Sequence, residues 1–266
     1  MKIITLIENL VYKPGLLAEH GLSHLIDTGQ KKILFDTGQS SAFLMNTKAL
    51  DIDIKDIDKV VISHGHFDHT GGLFDLLSVN KKAIVYVKKE IFLEKFKNEQ
   101  DFIGTRKDLN KFQNRILFVN DITELDKDIY LMPDIPIIDH VDTNFTNFNI
   151  REDTGFIQDE FLDELFLVIN KNNKLSILSS CSHRGISNIT RAAINHFNRK
   201  VHLIQGGFHL KESATDQYKA VSTYFKQINP EYIGACHCTG IENYLKLKSD
   251  IGNNVFYNMT GNYFHI

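Results

Sequence analysis

The apolar run Val60-Val61-Ile62 leads straight into Ser63-His64-Gly65-His66-Phe67-Asp68-His69-Thr70-Gly71-Gly72. No other stretch constrains the chain so tightly. A short apolar run reads as a buried strand, so three imidazoles and a carboxylate must share the loop at its end. Strand-end loops are where α/β proteins place functional groups. His64 and His66 are two positions apart, so both rings can turn to one point in a tight loop. Asp68 and His69 are adjacent and can serve a second point nearby. Imidazole with carboxylate suits a divalent ion of borderline softness. Gly71 and Gly72 let the backbone turn tightly and enter a helix at little steric cost.

The rest of the chain reads as strands alternating with helices. Lys2 to Ile7, Ser23 to Thr28 and Lys32 to Gly38 are apolar runs punctuated by Gly and Asp, with a hairpin turn between the last two. Ser40 to Leu50 opens with capping serines and has helical spacing. Residues 71–78 read as a helix, 82–88 as a strand and 89–98 as an amphipathic helix. Residues 98–160 carry the weakest pattern and are expected to form an insertion or lid on a single domain spanning 1–266. The second half repeats the style of the first. A hairpin crosses Asn172-Asn173, and three further helices follow at 185–197, from a Ser213 cap to 228, and at 240–250. Strands precede the last two helices and close the chain. The class is α/β, with two sheets packed together and helices outside.

Composition narrows the function. A chain of 266 residues can bury a sizeable core without disulfides. Its net charge of -3, with both signs interspersed, leaves no basic stripe for nucleic acid. Three cysteines, Cys181, Cys236 and Cys238, do not make a secreted disulfide framework. No apolar run nears the ~20 residues that span a bilayer, and the first residues lack the pattern of an export signal. A cytoplasmic protein acting on a small molecule is expected, with no nucleic-acid or membrane partner. A homodimer is left open.

The segment His64-Gly65-His66-Phe67-Asp68-His69 resembles the His-x-His-x-Asp-His signature of the metallo-β-lactamase-fold superfamily. Leu34 to Gly38 resembles the strand-turn that precedes that signature. Ser179 to Ile189, Gln205 to Leu210 and Ala235 to Gly240 resemble its later segments, in order. The resemblance implies an αββα four-layer sandwich, two mixed sheets with helices on the outer faces. It implies one or two divalent ions, zinc foremost and manganese or iron as alternatives, held by His64, His66, Asp68, His69, His183, His209 and His237. Position 209 departs from the pattern. Many relatives have there an Asp that bridges two metals, whereas an imidazole binds one metal or contacts substrate. Residues 18–27, with the Cys-Ser-His-Arg-Gly-Ile, Gly-Gly-Phe-His-Leu and Cys-His-Cys-Thr-Gly segments, resemble a narrower group, typified by a dihydropterin ribofuranosyl-aminobenzene phosphate synthase.

Roles follow from these positions. Asp68 and His209 are candidate catalytic groups, and Arg184 could neutralise a phosphate beside His183. Asp36 is expected to orient a motif histidine by a hydrogen bond. Glu19, His20 and Ser23 face the cleft or are ordinary loop residues. Cys236 and Cys238 read as packing or near-site thiols, and Cys181 as core. The expected function is a metal-dependent hydrolase that turns activated hydroxide on a phosphoester or phosphodiester. The alternative is a synthase-like transferase joining a dihydropterin to an aminobenzene ribose phosphate. A lactone or thioester hydrolase, or a non-catalytic metal-bound module, comes after these.

Overall fold

The apolar runs become strands because their branched and aromatic residues pack well on a pleated surface. A computed structural model describes residues 1–266. Its first strands are β1 (Lys2–Ile7), β2 (Ser23–Asp27), β3 (Lys32–Phe35), β4 (Lys59–Val61), β5 (Ile84–Val87), β6 (Lys95–Lys97), β7 (Asp101–Phe102), β8 (Ile116–Phe118) and β9 (Thr123–Asp126). The remainder are β10 (Ile129–Met132), β11 (Phe148–Glu152), β12 (Gly155–Gln158), β13 (Phe166–Lys171), β14 (Lys174–Leu178), β15 (Lys200–Gly206), β16 (Tyr232–Ala235), β17 (Val255–Tyr257) and β18 (Tyr263–His265). The helices are α1 (Ala42–Ala49), α2 (Phe67–Thr70), α3 (Leu73–Val79), α4 (Ile186–Phe197), α5 (Thr215–Ile228) and α6 (Ile241–Ile251).

The chain divides into two units. The first comprises Met1–Val119, Thr146–Asp163 and Met259–Ile266; the second comprises Asn120–Phe145 and Glu164–Asn258. The first unit holds a seven-stranded sheet in the order β18-β1-β2-β3-β4-β5-β8. Its pairings are antiparallel from β18 to β3 and parallel from β3 to β8. The second unit repeats this plan in the order β17-β16-β15-β14-β13-β10-β9. It is antiparallel from β9 to β14 and parallel from β14 to β17. The repeated style of the sequence is therefore a repeated topology. Each unit buries its own core. Leu6, Leu25, Leu34, Val60, Leu76 and Val85 pack in the first. Phe166, Val168, Ile177, Ile189, Val221 and Phe225 pack in the second.

Helical spacing explains the second core. Ile186, Ile189 and Ala193 of α4 fall on one buried face, as do Val221, Tyr224 and Phe225 of α5. Both helices stop at an asparagine in the left-handed region, Asn198 and Asn229. The β13–β14 hairpin turns at Asn172 and Asn173, both with positive φ, as a two-residue turn requires.

Two expectations change. Residues 89–98 do not form an amphipathic helix: a short 3-10 turn, Lys89–Phe92, gives way to β6. Lys95 is fully buried there, so its partners override helical propensity. Helix α5 starts after Ala214, not at a Ser213 cap. The strands within residues 98–160 are shared among three sheets. β8 edges the first large sheet, β9 and β10 the second, and β11 and β12 join β6 and β7 in a four-stranded sheet. No helix is long and apolar enough to cross a membrane.

Candidate metal centre

In each unit the metal-capable side chains sit beyond the carboxyl ends of parallel strands. In the first unit Asp36 follows β3 and the histidine motif follows β4; His66 caps α2, which carries Asp68 and His69. The His64 ring lies 4.6 Å from that of His66 and 4.4 Å from that of His69. All four motif donors are buried.

Asp36 organises this loop. It sits in the left-handed region at φ 61° and is fully buried. Its Oδ1 accepts from the Ser63 backbone N–H at 2.7 Å, and its Oδ2 accepts from Ser63 Oγ and pairs with His69 Nδ1, each at 2.8 Å. Ser23 Oγ donates to the Asp36 carbonyl at 2.8 Å. Ser63 Oγ also lies 2.8 Å from His64 Nδ1. With Nδ1 engaged on both His64 and His69, Nε2 is the nitrogen suited to a ligand role, and on His69 it lies 3.4 Å from Asp68 Oδ2.

Electrostatics separates the histidines. Burial pushes His64 well below the ordinary imidazole range, and His69 and His66 add to the effect, so His64 is neutral as a ligand must be. Burial also opposes charge on His69, but the carboxylates of Asp68 and Asp36 outweigh it and hold its pKa up at about 10. An ion binding at His69 must therefore displace a proton. His20 Nε2 lies 3.3 Å from Asp68 Oδ2, so this exposed histidine sits beside the motif carboxylate. Glu19 turns the other way: its Oε1 accepts from the N–H groups of Gln39 and Ser40, at 2.9 and 3.1 Å. It fastens the turn after β3.

Gly71 and Gly72 are needed for a different reason from the one the sequence suggested. Neither has positive φ; a Cβ on Gly71 would lie 1.9 Å from the Gln39 carbonyl oxygen, and one on Gly72 2.4 Å from Phe43. Close approach, not turn geometry, demands glycine there.

In the second unit Cys181, Ser182 and His183 follow β14, His209 follows β15 and His237 follows β16. The His183 and His209 rings lie 4.4 Å apart. His183 Nδ1 lies 3.2 Å from the Asn144 carbonyl oxygen, which again presents Nε2. The ligand-capable atoms of Cys181, His237 and Cys238 all lie within 4.8 Å of one another. Ser182, His209 and His237 have φ of 59°, 48° and 49°, positive values that non-glycine residues adopt at a cost and that cluster at functional sites. Arg184 is partly committed, since its Nε donates to the Ile135 carbonyl at 3.1 Å.

Sequence reasoning missed the carboxylates that hold these loops. Asp163 Oδ2 accepts from the Gly65 N–H at 2.6 Å, between the first two motif histidines, and its Oδ1 binds Lys95 Nζ at 2.9 Å. Asp159 binds the same ammonium at 2.6 Å. The next residue, Glu164, accepts from the backbone N–H groups of His183 and Arg184 at 2.8 and 2.7 Å. Asp163 and Glu164 stand directly before the apolar strand β13, and two acids abutting a buried strand were the one available signal.

The metallo-beta-lactamase superfamily model matches residues 17–156. The chain belongs to that superfamily. A 7,8-dihydropterin-6-methyl-4-(beta-D-ribofuranosyl)-aminobenzene-5'-phosphate synthase of Methanocaldococcus jannaschii is 32% identical, over 91% of this chain and 88% of its own. A crystal structure described as a metal-dependent hydrolase of the beta-lactamase superfamily matches with a TM-score of 0.88 and 31% identity, covering 100% of this chain and 99% of that one. A diphosphatase of the PhnP family, with TM-score 0.57, 14% identity and coverage of 100% and 97%, shares the fold alone. This chain accordingly has the α/β metallo-beta-lactamase fold and is an enzyme. The family implies a divalent metal. The donors fit one: buried imidazoles with one nitrogen already oriented, and a carboxylate beside them.

Proposed function

We propose that this metallo-beta-lactamase member joins a dihydropterin, through its 6-methyl carbon, to an aminobenzene ribose phosphate: the new carbon–nitrogen bond forms as the leaving group on the methyl carbon departs and the amine loses a proton. The carrying observation is the 32% identity to the archaeal synthase over 91% of the chain, which spans both units. Hydrolysis of a small phosphoester is the second reading; the 31% identity to the metal-dependent hydrolase supports its hydrolytic part. Both readings assign His64, His66, Asp68, His69, His183, His209 and His237 to one or two divalent ions, zinc foremost, in a cytoplasmic enzyme.

The bound metal supplies Lewis-acid stabilisation of charge on a phosphoryl or leaving-group oxygen. The chain's own groups do the positioning. Asp36 sets the tautomer and direction of His69. Asp163 fixes the backbone between His64 and His66, and Glu164 fixes the loop of His183. His20 is placed to exchange a proton with Asp68. Phe148 at the start of β11, 5.3 Å from the His66 ring, shields that histidine from water. Strands β7, β11 and β12 of the four-stranded sheet are therefore the part of residues 98–160 suited to act as a cover.

The test offers metal-loaded protein two reactions. One is condensation of a 7,8-dihydropterin bearing a leaving group on its 6-methyl carbon with an aminobenzene ribose phosphate. The other is cleavage of a chromogenic phosphodiester. EDTA-stripped protein and His64→Ala are the controls. Joined product that disappears in both controls supports the synthase reading. Phosphodiester turnover alone supports the second. Neither product, with metal bound, refutes both.

A further inference from the structure

We propose that Cys181, His237 and Cys238 form a sulfur-rich subsite for a thiophilic divalent ion, zinc or ferrous iron by class. The inference deepens the metal reading above and rests on His237 serving an ion. It adds two sulfur ligands that the histidine signature does not require. The sequence reads Cys238 as a packing or near-site thiol and Cys181 as core, but three observations within the second unit point further.

The first is convergence. The sulfurs of Cys181 and Cys238 and a ring nitrogen of His237 lie within 4.8 Å of one another, and all three residues are buried. Zinc bonds of ~2.3 Å to sulfur and ~2.0 Å to nitrogen would place such donors ~3.5–3.8 Å apart. Shifts on the order of 0.5 Å per side chain close that gap.

The second is a built cradle around one sulfur. The His209 backbone N–H donates to Cys238 Sγ at 3.3 Å, and that thiol in turn donates to the Cys181 carbonyl oxygen at 3.5 Å. Gly207 makes room for the same sulfur, since a Cβ there would lie 2.5 Å from it.

The third is the strained backbone around the donors, with Ser182, His209 and His237 all in the left-handed region. Ordinary packing of two thiols needs no such cost.

Two thiolates with an imidazole select soft or borderline ions over magnesium or manganese. Each thiol gives its proton to solvent as its sulfur bonds the ion, so uptake releases two protons from the sulfurs.

The experiment loads cobalt(II) into the full chain and reads metal stoichiometry with the near-ultraviolet sulfur-to-cobalt charge-transfer band. The wild type should show the band, Cys181→Ser and Cys238→Ser should each weaken it, and the double variant should lose it. Cys236→Ser, whose buried thiol lies outside the cluster, should keep it. His66→Ala, which is not grouped with any of the three donors, should also keep it while weakening the ion of the histidine motif, so the two readings fail separately. X-ray absorption on cadmium-loaded wild type needs no variant and should show sulfur in the first coordination shell. No charge-transfer band in the wild type, a band unchanged in the double variant, or only nitrogen and oxygen around cadmium would overturn the proposal.

Discussion

Replacing Lys95 with methionine should destabilise the first unit by about 3–5 kcal/mol, the usual cost of removing one partner from a buried ion pair. Lys95 is fully buried on β6, and its ammonium binds Asp159 at 2.6 Å and Asp163 at 2.9 Å. Burial disfavours the ammonium, but Asp163 and Asp159 outweigh that and hold it above the ordinary lysine range. The ring of Phe161 lies 4.8 Å from the same nitrogen. Methionine keeps the volume and strands two carboxylates in the interior. Asp163→Asn is milder, because its amide oxygen can still accept from Gly65 N–H and one carboxylate still faces the ammonium. A cost of about 1–3 kcal/mol fits that change. A domain is stable by only about 5–15 kcal/mol, so the difference between the two variants is measurable. Urea unfolding followed by circular dichroism gives both free energies. The triple replacement Lys95→Met, Asp159→Asn, Asp163→Asn should recover part of the Lys95→Met loss, since no buried charge is left unpaired. A Lys95→Met loss under about 1 kcal/mol, the level of an exposed pair, would refute the claim that these charges are paired in a dry interior.

Other consequences follow from single contacts. Asp36→Ala removes the acceptor of Ser63 and His69, and zinc affinity should fall about 10- to 100-fold by competition with a chelating dye; unchanged affinity would mean that Asp36 does not orient His69. Gly71→Ala should cost about 3 kcal/mol or more, because the new methyl meets backbone rather than a flexible side chain; a melting temperature equal to wild type would contradict this. Asp142 is buried, its Oδ2 accepting from the Ser187 N–H at 2.7 Å, and burial raises its pKa from 3.8 to about 7. The unfolded chain gives up that proton first, so stability should fall as pH rises from about 4 to about 7, by at most about 4 kcal/mol, and then level off. Asp142→Asn should flatten that slope in pH-dependent urea midpoints, and an unaltered slope would sink the assignment.

The sequence by itself determined the α/β class, most strands, the hairpins and the family. Periodicity and turn residues are local signals, and His64, Gly65, His66, Asp68 and His69 are contiguous. The order of the strands in each sheet came only from the fold. What only tertiary structure decided were contacts between residues far apart in sequence. Lys95 looked like one residue of an amphipathic helix and became a buried cation on a strand, because Asp159 and Asp163 meet it across the fold. Gly71 looked like a turn residue and proved to be a contact point for Gln39. The pairing of Cys181 with Cys238 crosses two loops that no spacing rule connects. Propensity acts within a few residues, whereas burial and charge act through space. Only the folded chain brings a lysine, two aspartates and a glycine amide to one place.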